Sequence, residues 1–155
     1  MRLIPAGFVL LLALCLCGAG PVPEKPSPKD KCPVCGMFVA KYPDWVARVA
    51  YQDGAVAWFD GVKDLMKYYF RLDRYSPGRK VSDMATIRVT DYYSLSPIDG
   101  RTAWYVAGSD VYGPMGKELI PFANKAEAEE FLRDHRGVRI LTFPEITPEL
   151  LKSLD

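Results

Sequence analysis

The strongest constraint on the fold is a pattern that occurs twice: an aromatic residue ends an extended run, a polar residue follows, and an amphipathic helical stretch begins. In the first instance Ala55-Val56-Ala57-Trp58-Phe59 leads into Asp60, after which Val62, Leu65, Met66 and Tyr69 fall on one helical face over 61–72. In the second, the run 118–122 ends at Phe122, Ala123-Asn124 follow, and Ala128, Phe131 and Leu132 share a face. Asp and Asn suit such a junction because their side-chain oxygens accept an amide hydrogen that the first helical turn leaves unpaired, so Asp60 and Asn124 are read as helix caps.

Each instance sits inside the same larger plan. Trp45, Ala47, Val49 and Tyr51 alternate with Val46, Arg48 and Ala50, the period of a strand with one buried face. Asp53-Gly54 is a hairpin signal, and Ile87 and Val89 alternate with Thr86, Arg88 and Thr90 in a strand after the helix. In the second half 101–107 reads as a strand, Gly113-Pro114-Met115-Gly116 as a turn, and 138–143 as the closing strand. The expected fold class is α+β: two tandem ββαβ units, 32–95 and 96–155, forming one compact body with a short C-terminal helix that carries Leu150, Leu151 and Leu154.

Ahead of the body, Met1-Arg2 precedes an apolar run over 3–16 that is too short for an ordinary membrane helix, so 1–20 reads as a signal peptide. Cys15 and Cys17 lie where a bacterial lipid-modified cysteine would sit; cleavage after Ala19 without lipidation is the competing reading. Pro21, Pro23, Pro26 and Pro28 mark 21–31 as a Pro-rich linker, read as a solvated, extended spacer. A balance of 20 Lys+Arg against 19 Asp+Glu, with no basic stripe, removes the main driving force for binding nucleic acid. No Gly-rich phosphate loop, serine with a histidine partner, or pair of carboxylates at a useful spacing on one element stands out, so an enzyme reading rests on thiols alone.

The sulfur is concentrated in Lys31-Cys32-Pro33-Val34-Cys35-Gly36-Met37. A lone Cys-x-x-Cys serves zinc sites, disulfide oxidoreductases and soft-metal carriers alike. Zinc is disfavoured, since a closed four-coordinate site wants two such pairs or added imidazoles and the chain has one His. Thiolate and thioether donors select Cu(I), which makes Cys35, Cys32, Met37 and, far downstream, Met115 the candidate ligands. The turn is expected to lower a thiol pKa. Met66, on the apolar helical face, reads as packing, and Trp45, Trp58 and Trp104 as strand residues forming core or a wall around the site. His135 reads as a helix terminus with a secondary claim as a copper donor.

These residues carry a resemblance. Cys35-Gly36-Met37, Val106-Ala107-Gly108-Ser109 leading to Gly113-Pro114-Met115-Gly116, Pro121-Phe122, and Ala128-Glu129-Glu130-Phe131 running to His135-Arg136-Gly137 resemble the NosL-type copper lipoproteins over nearly all of the mature chain. The resemblance implies a non-enzymatic Cu(I) chaperone that supports copper-centre assembly in nitrous-oxide reductase. It weighs most on Cys35 and Met115 and less on Cys32. The expected protein is periplasmic, lipid-anchored to a bacterial membrane, loaded by a copper exporter or donor, and unloaded to an apo copper enzyme. Two rivals use the same thiols. One is a thiol-disulfide oxidoreductase using Cys32 and Cys35, weakened because the pair precedes the first strand instead of starting a helix. The other is a metal-free module in which an oxidising compartment closes the pair into a disulfide staple.

Overall fold

A computed structural model describes residues 23–155. The expected signal segment, with Cys15 and Cys17, lies outside them. Seven strands and four helices follow in the order β1 (Ala47–Tyr51), β2 (Val56–Phe59), α1 (Val62–Phe70), α2 (Leu72–Tyr75), β3 (Met84–Thr90), β4 (Pro97–Asp99), β5 (Trp104–Gly113), β6 (Gly116–Phe122), α3 (Lys125–Asp134), β7 (Arg139–Thr142) and α4 (Pro148–Ser153). They form two antiparallel sheets, ordered β2-β1-β3-β4 and β6-β5-β7, so the α+β class holds and both hairpins take on a third strand in the same way.

Local chemistry accounts for most boundaries. The β1/β2 hairpin turns at Gly54, whose φ of 86° suits a residue without a Cβ, while the Asp53 carboxylate accepts the Ala55 amide at 3.0 Å. Asn124 caps α3 by accepting the Glu127 amide at 3.0 Å, and Thr147 caps α4 through the Leu150 amide at 3.3 Å. Trp45 departs from its expected place on a strand. It belongs to a short 3-10 turn, Pro43–Trp45, because Pro43 cannot donate to a ladder and β1 starts only at Ala47. β5 is longer than its local period suggests, since a bulge between Ala107 and Tyr112 carries it on to the hairpin tip. At the bulge Gly108 (φ 78°) abuts Val138, and a Cβ there would lie 2.6 Å from the valine Cγ2.

The two units share one body because the second sheet has two buried faces. Tyr105, Ala107 and Leu119 point into the larger core with Val49, Phe59, Leu65, Met66 and Ile87, whereas Val106, Ile120 and Phe122 pack with Ala128 and Phe131 under α3. α1 lies against β1 and β2 on one side and β6 on the other. Lys63 and Asp64, on the polar side of its sequence period, are therefore each only 3% exposed. Full burial of a side chain such as Leu65 contributes about 2 kcal/mol, and the core supplies many of these.

The residues before β1 also depart from expectation. Pro23–Asp30 is largely exposed but does not run free as a spacer: Arg48 Nη1 donates to the Pro23 carbonyl, Arg48 Nη2 pairs with Glu24 at 3.5 Å, and the Asp30 amide closes a turn onto the Ser27 carbonyl at 3.1 Å. Arg48, placed by its period on a polar face, is consequently buried at 8% exposure. Among the described residues no helix is long and apolar enough to cross a membrane.

Candidate metal centre

The Cys-x-x-Cys segment is a closed loop. The Cys32 amide donates to the Met37 carbonyl and the Gly36 amide to the Cys32 carbonyl, both at 2.9 Å, while Lys31 and Phe38 bridge the loop's ends. Gly36 sits at φ 80°, the left-handed conformation that lets the chain reverse after Cys35. Cys32 is buried at 1% exposure, and Cys35 is half-buried; both are free thiols.

Each thiol faces a carboxylate contributed by the β2–α1 junction. Cys32 Sγ donates to Asp64 Oδ2 at 3.3 Å, and Cys35 Sγ donates to Asp60 at 3.2 Å. One donor atom from each of the four side chains lies within 4.8 Å of all the others. Asp60 and Asp64 are four residues apart across the first turn of α1, which brings them to the same side of the chain. The pairing spans the strand end and the helix, so no single element carries both carboxylates. The reading of Asp60 as a helix cap is overturned, because Gly61 holds the N-cap position and no side chain of the junction caps α1.

The thiols are held in their protonated form, opposite to the lowered pKa expected of such a turn. Burial pushes Cys35 up to about 12, opposed by the Met37 amide and reinforced by the Asp64 and Asp60 carboxylates. Burial likewise pushes Cys32 far above the ordinary thiol range, against the pull of nearby backbone amides. A metal entering here displaces protons from sulfur and meets two carboxylates already in place. Two soft and two hard donors offer a choice of coordination to an ion that tolerates sulfur.

The second unit closes on the same junction. Glu118 of β6 accepts the Lys63 amide at 2.5 Å and its own neighbour's, Leu119, at 2.8 Å, so the helix-start amide that Asp60 leaves alone is satisfied from the other unit. Burial raises the Glu118 carboxyl to about 8, with those two amides opposing. Gly61 is needed beneath it: a Cβ at that position would lie 2.1 Å from Glu118 Oε2. The Lys63 ammonium donates to the Met115 carbonyl at 2.8 Å and the Leu154 carbonyl at 3.2 Å. The β5/β6 tip is thus tied to the residue beside Asp64, with Met115 itself 43% exposed.

Of the four sequence candidates, the structure brings Cys32 and Cys35 together. Met37 is half-buried and closes the loop through its carbonyl; Met115 is joined to α1 through its main chain. His135 ends α3, stacks on Phe131 at a centroid distance of 4.3 Å and contacts Asp110 at 3.2 Å, while Met66 is core. Asp64, Lys63 and Glu118 escaped the sequence reading. Only Asp64 left a signal, as the i+4 partner of Asp60.

Fold and site together define a small two-unit α+β protein in which two thiols and two carboxylates are grouped closely enough to hold a metal ion. The chain belongs to the NosL family, whose model matches residues 23–151. It is 30% identical over 125 residues to the copper-binding lipoprotein NosL of Stutzerimonas stutzeri, an alignment covering 79% of this chain and 65% of that protein, just short of two thirds of its length. It also resembles the crystal structure of the copper chaperone NosL from Shewanella denitrificans, with a TM-score of 0.69 and 26% identity over 83% of this chain and 98% of that one.

Proposed function

We propose that this protein is a Cu(I) carrier, tethered by a lipid anchor on the periplasmic side of a bacterial membrane, that receives copper from an exporter or donor and delivers it to an apo copper enzyme, nitrous-oxide reductase. The names of its relatives support copper as the cargo. The observation that carries the reading is the convergence of two thiols on one buried acidic junction with the Met115 hairpin tied beside it.

In this reading Cys35, the more exposed thiol, accepts copper first. Cys32 deepens the grip, and Met115 supplies a thioether that needs no deprotonation. Met37 lies on the same loop and is a reserve donor. Few ligands near a surface let an incoming thiol, imidazole or thioether displace the ion stepwise, as delivery requires. The oxidoreductase alternative is disfavoured, because such an enzyme needs a low-pKa attacking thiol and both thiols here are raised.

Anaerobic Cu(I) titration against a competing chelator tests the assignment. Cys35→Ser is expected to weaken binding by more than about 100-fold, beyond the range for groups that only support ligands. Met115→Ala is expected to weaken it less. Parent-like affinity in both variants would remove the proposal.

A further inference from the structure

The first sheet carries a second feature, unrelated to the thiols. Cross-strand register places Trp58, Arg48, Arg88 and Asp99 in one row over β2, β1, β3 and β4, with the two arginines directly opposite each other. Like charges in that position are destabilising. Neither is well answered. Arg48 has a side chain only 10% exposed, its Nε has no hydrogen-bond partner, and its charge meets one carbonyl and the exposed Glu24 carboxylate at 3.5 Å. Among the described residues Arg88 makes no ion pair within 4.0 Å.

Beside this row lies a cavity of about 240 Å³ whose lining includes Lys25, Trp58, Leu95, Arg48 and Arg88, together with the Glu24 carboxylate that an incoming acid would replace at Arg48. Arg48 lies over the Trp58 ring, 5.7 Å from its centroid. Two cross-strand arginines in the lining favour a carboxylate or phosphate fork, and the lining as a whole is more apolar than polar. A cavity of about 150 Å³ already accepts benzene, so this one has room for a ring or short alkyl chain plus an anionic head. We propose that the cavity binds a small organic carboxylate with an apolar body of that size, the acid group lying between Arg48 and Arg88.

Amide NMR titration of the purified protein tests it, with benzoate and hexanoate as probes and inorganic phosphate and benzyl alcohol as comparisons. The two acids are expected to give saturable shifts at Val46, Arg48, Val89, Thr90 and Leu95, weakened at least tenfold by Arg88→Ala. Arg48→Lys, which keeps the charge and removes the fork, is expected to weaken binding too and covers the case in which the alanine variant misfolds. Cys35→Ser should bind both acids as the parent does. Equal shifts with phosphate would make this a bare anion site, and equal shifts with benzyl alcohol an apolar dent without anion recognition. Either result, unchanged affinity in both arginine variants, or no saturation, overturns the proposal.

Discussion

At the end of β6, Asn124 accepts the Glu127 amide and α3 starts on an ordinary cap; at the end of β2, Gly61 holds the cap position with no side chain to offer, and Asp60, one residue earlier, caps nothing and accepts a thiol instead. In both units a hairpin takes its third strand beside its first and its second strand ends on an aromatic residue, although the first sheet adds β4 as a fourth strand. Their difference lies in who satisfies the helix start. α3 does so from within its own unit, whereas α1 receives Glu118 from the other. A helix relieved of capping itself can turn its first carboxylates to other chemistry. The site therefore depends on the second unit even though both thiols belong to the first.

The largest effect that could break this contrast lies in the second unit's core. Phe131 is fully buried, and Phe131→Ala should cost about 3–5 kcal/mol in urea unfolding while leaving the Cu(I) affinity of the folded protein unchanged. A parallel loss of copper binding would mean that α3 also shapes the site. Asp60→Asn and Asp64→Asn should each lower Cu(I) affinity about 10–100-fold, equivalent to about 1.4–2.7 kcal/mol, because they orient the thiols. If Asp60→Asn changes stability more than affinity, the junction is a cap after all.

Glu118 sharpens the same comparison through pH. Its folded pKa of about 8 lies above the ordinary 4.5, so the folded state holds the proton more tightly; the resulting stability is complete below about 4.5 and is lost as pH rises through about 8. Urea midpoints of the parent should therefore fall across that window, and Glu118→Gln, which still accepts both amides, should flatten the decline. Asn124→Ala is the smallest test, expected to cost about 1 kcal/mol with copper affinity unaltered.

Much of this was legible in the chain itself. Alternation, the Asp53-Gly54 turn, the Asn124 cap and the helical faces were enough to propose two ββαβ units, because each is a local preference that the tertiary structure leaves in force. The thiols were legible from spacing. What stayed hidden depends on which surface a neighbour covers. Arg48 and Lys63 occupy periodic positions that normally face water, and only folding shows that 23–26 covers one and the β5/β6 hairpin the other. β4 was hidden for another reason: with three residues, beginning at Pro97, it has too little alternation to register. Asp60 was misread because its local context matches a cap and its actual partner is 25 residues away in sequence.

That separation has a consequence for when the protein becomes competent. Each thiol meets its carboxylate across 25 or 32 residues, so neither pairing exists in an extended polypeptide. A chain threaded across a membrane would carry only a bare dithiol, and the complete receptor would arise after collapse. An ion that prefers this receptor raises the melting temperature in proportion to the logarithm of its concentration above the dissociation constant. Heat resistance would then distinguish loaded molecules from empty ones.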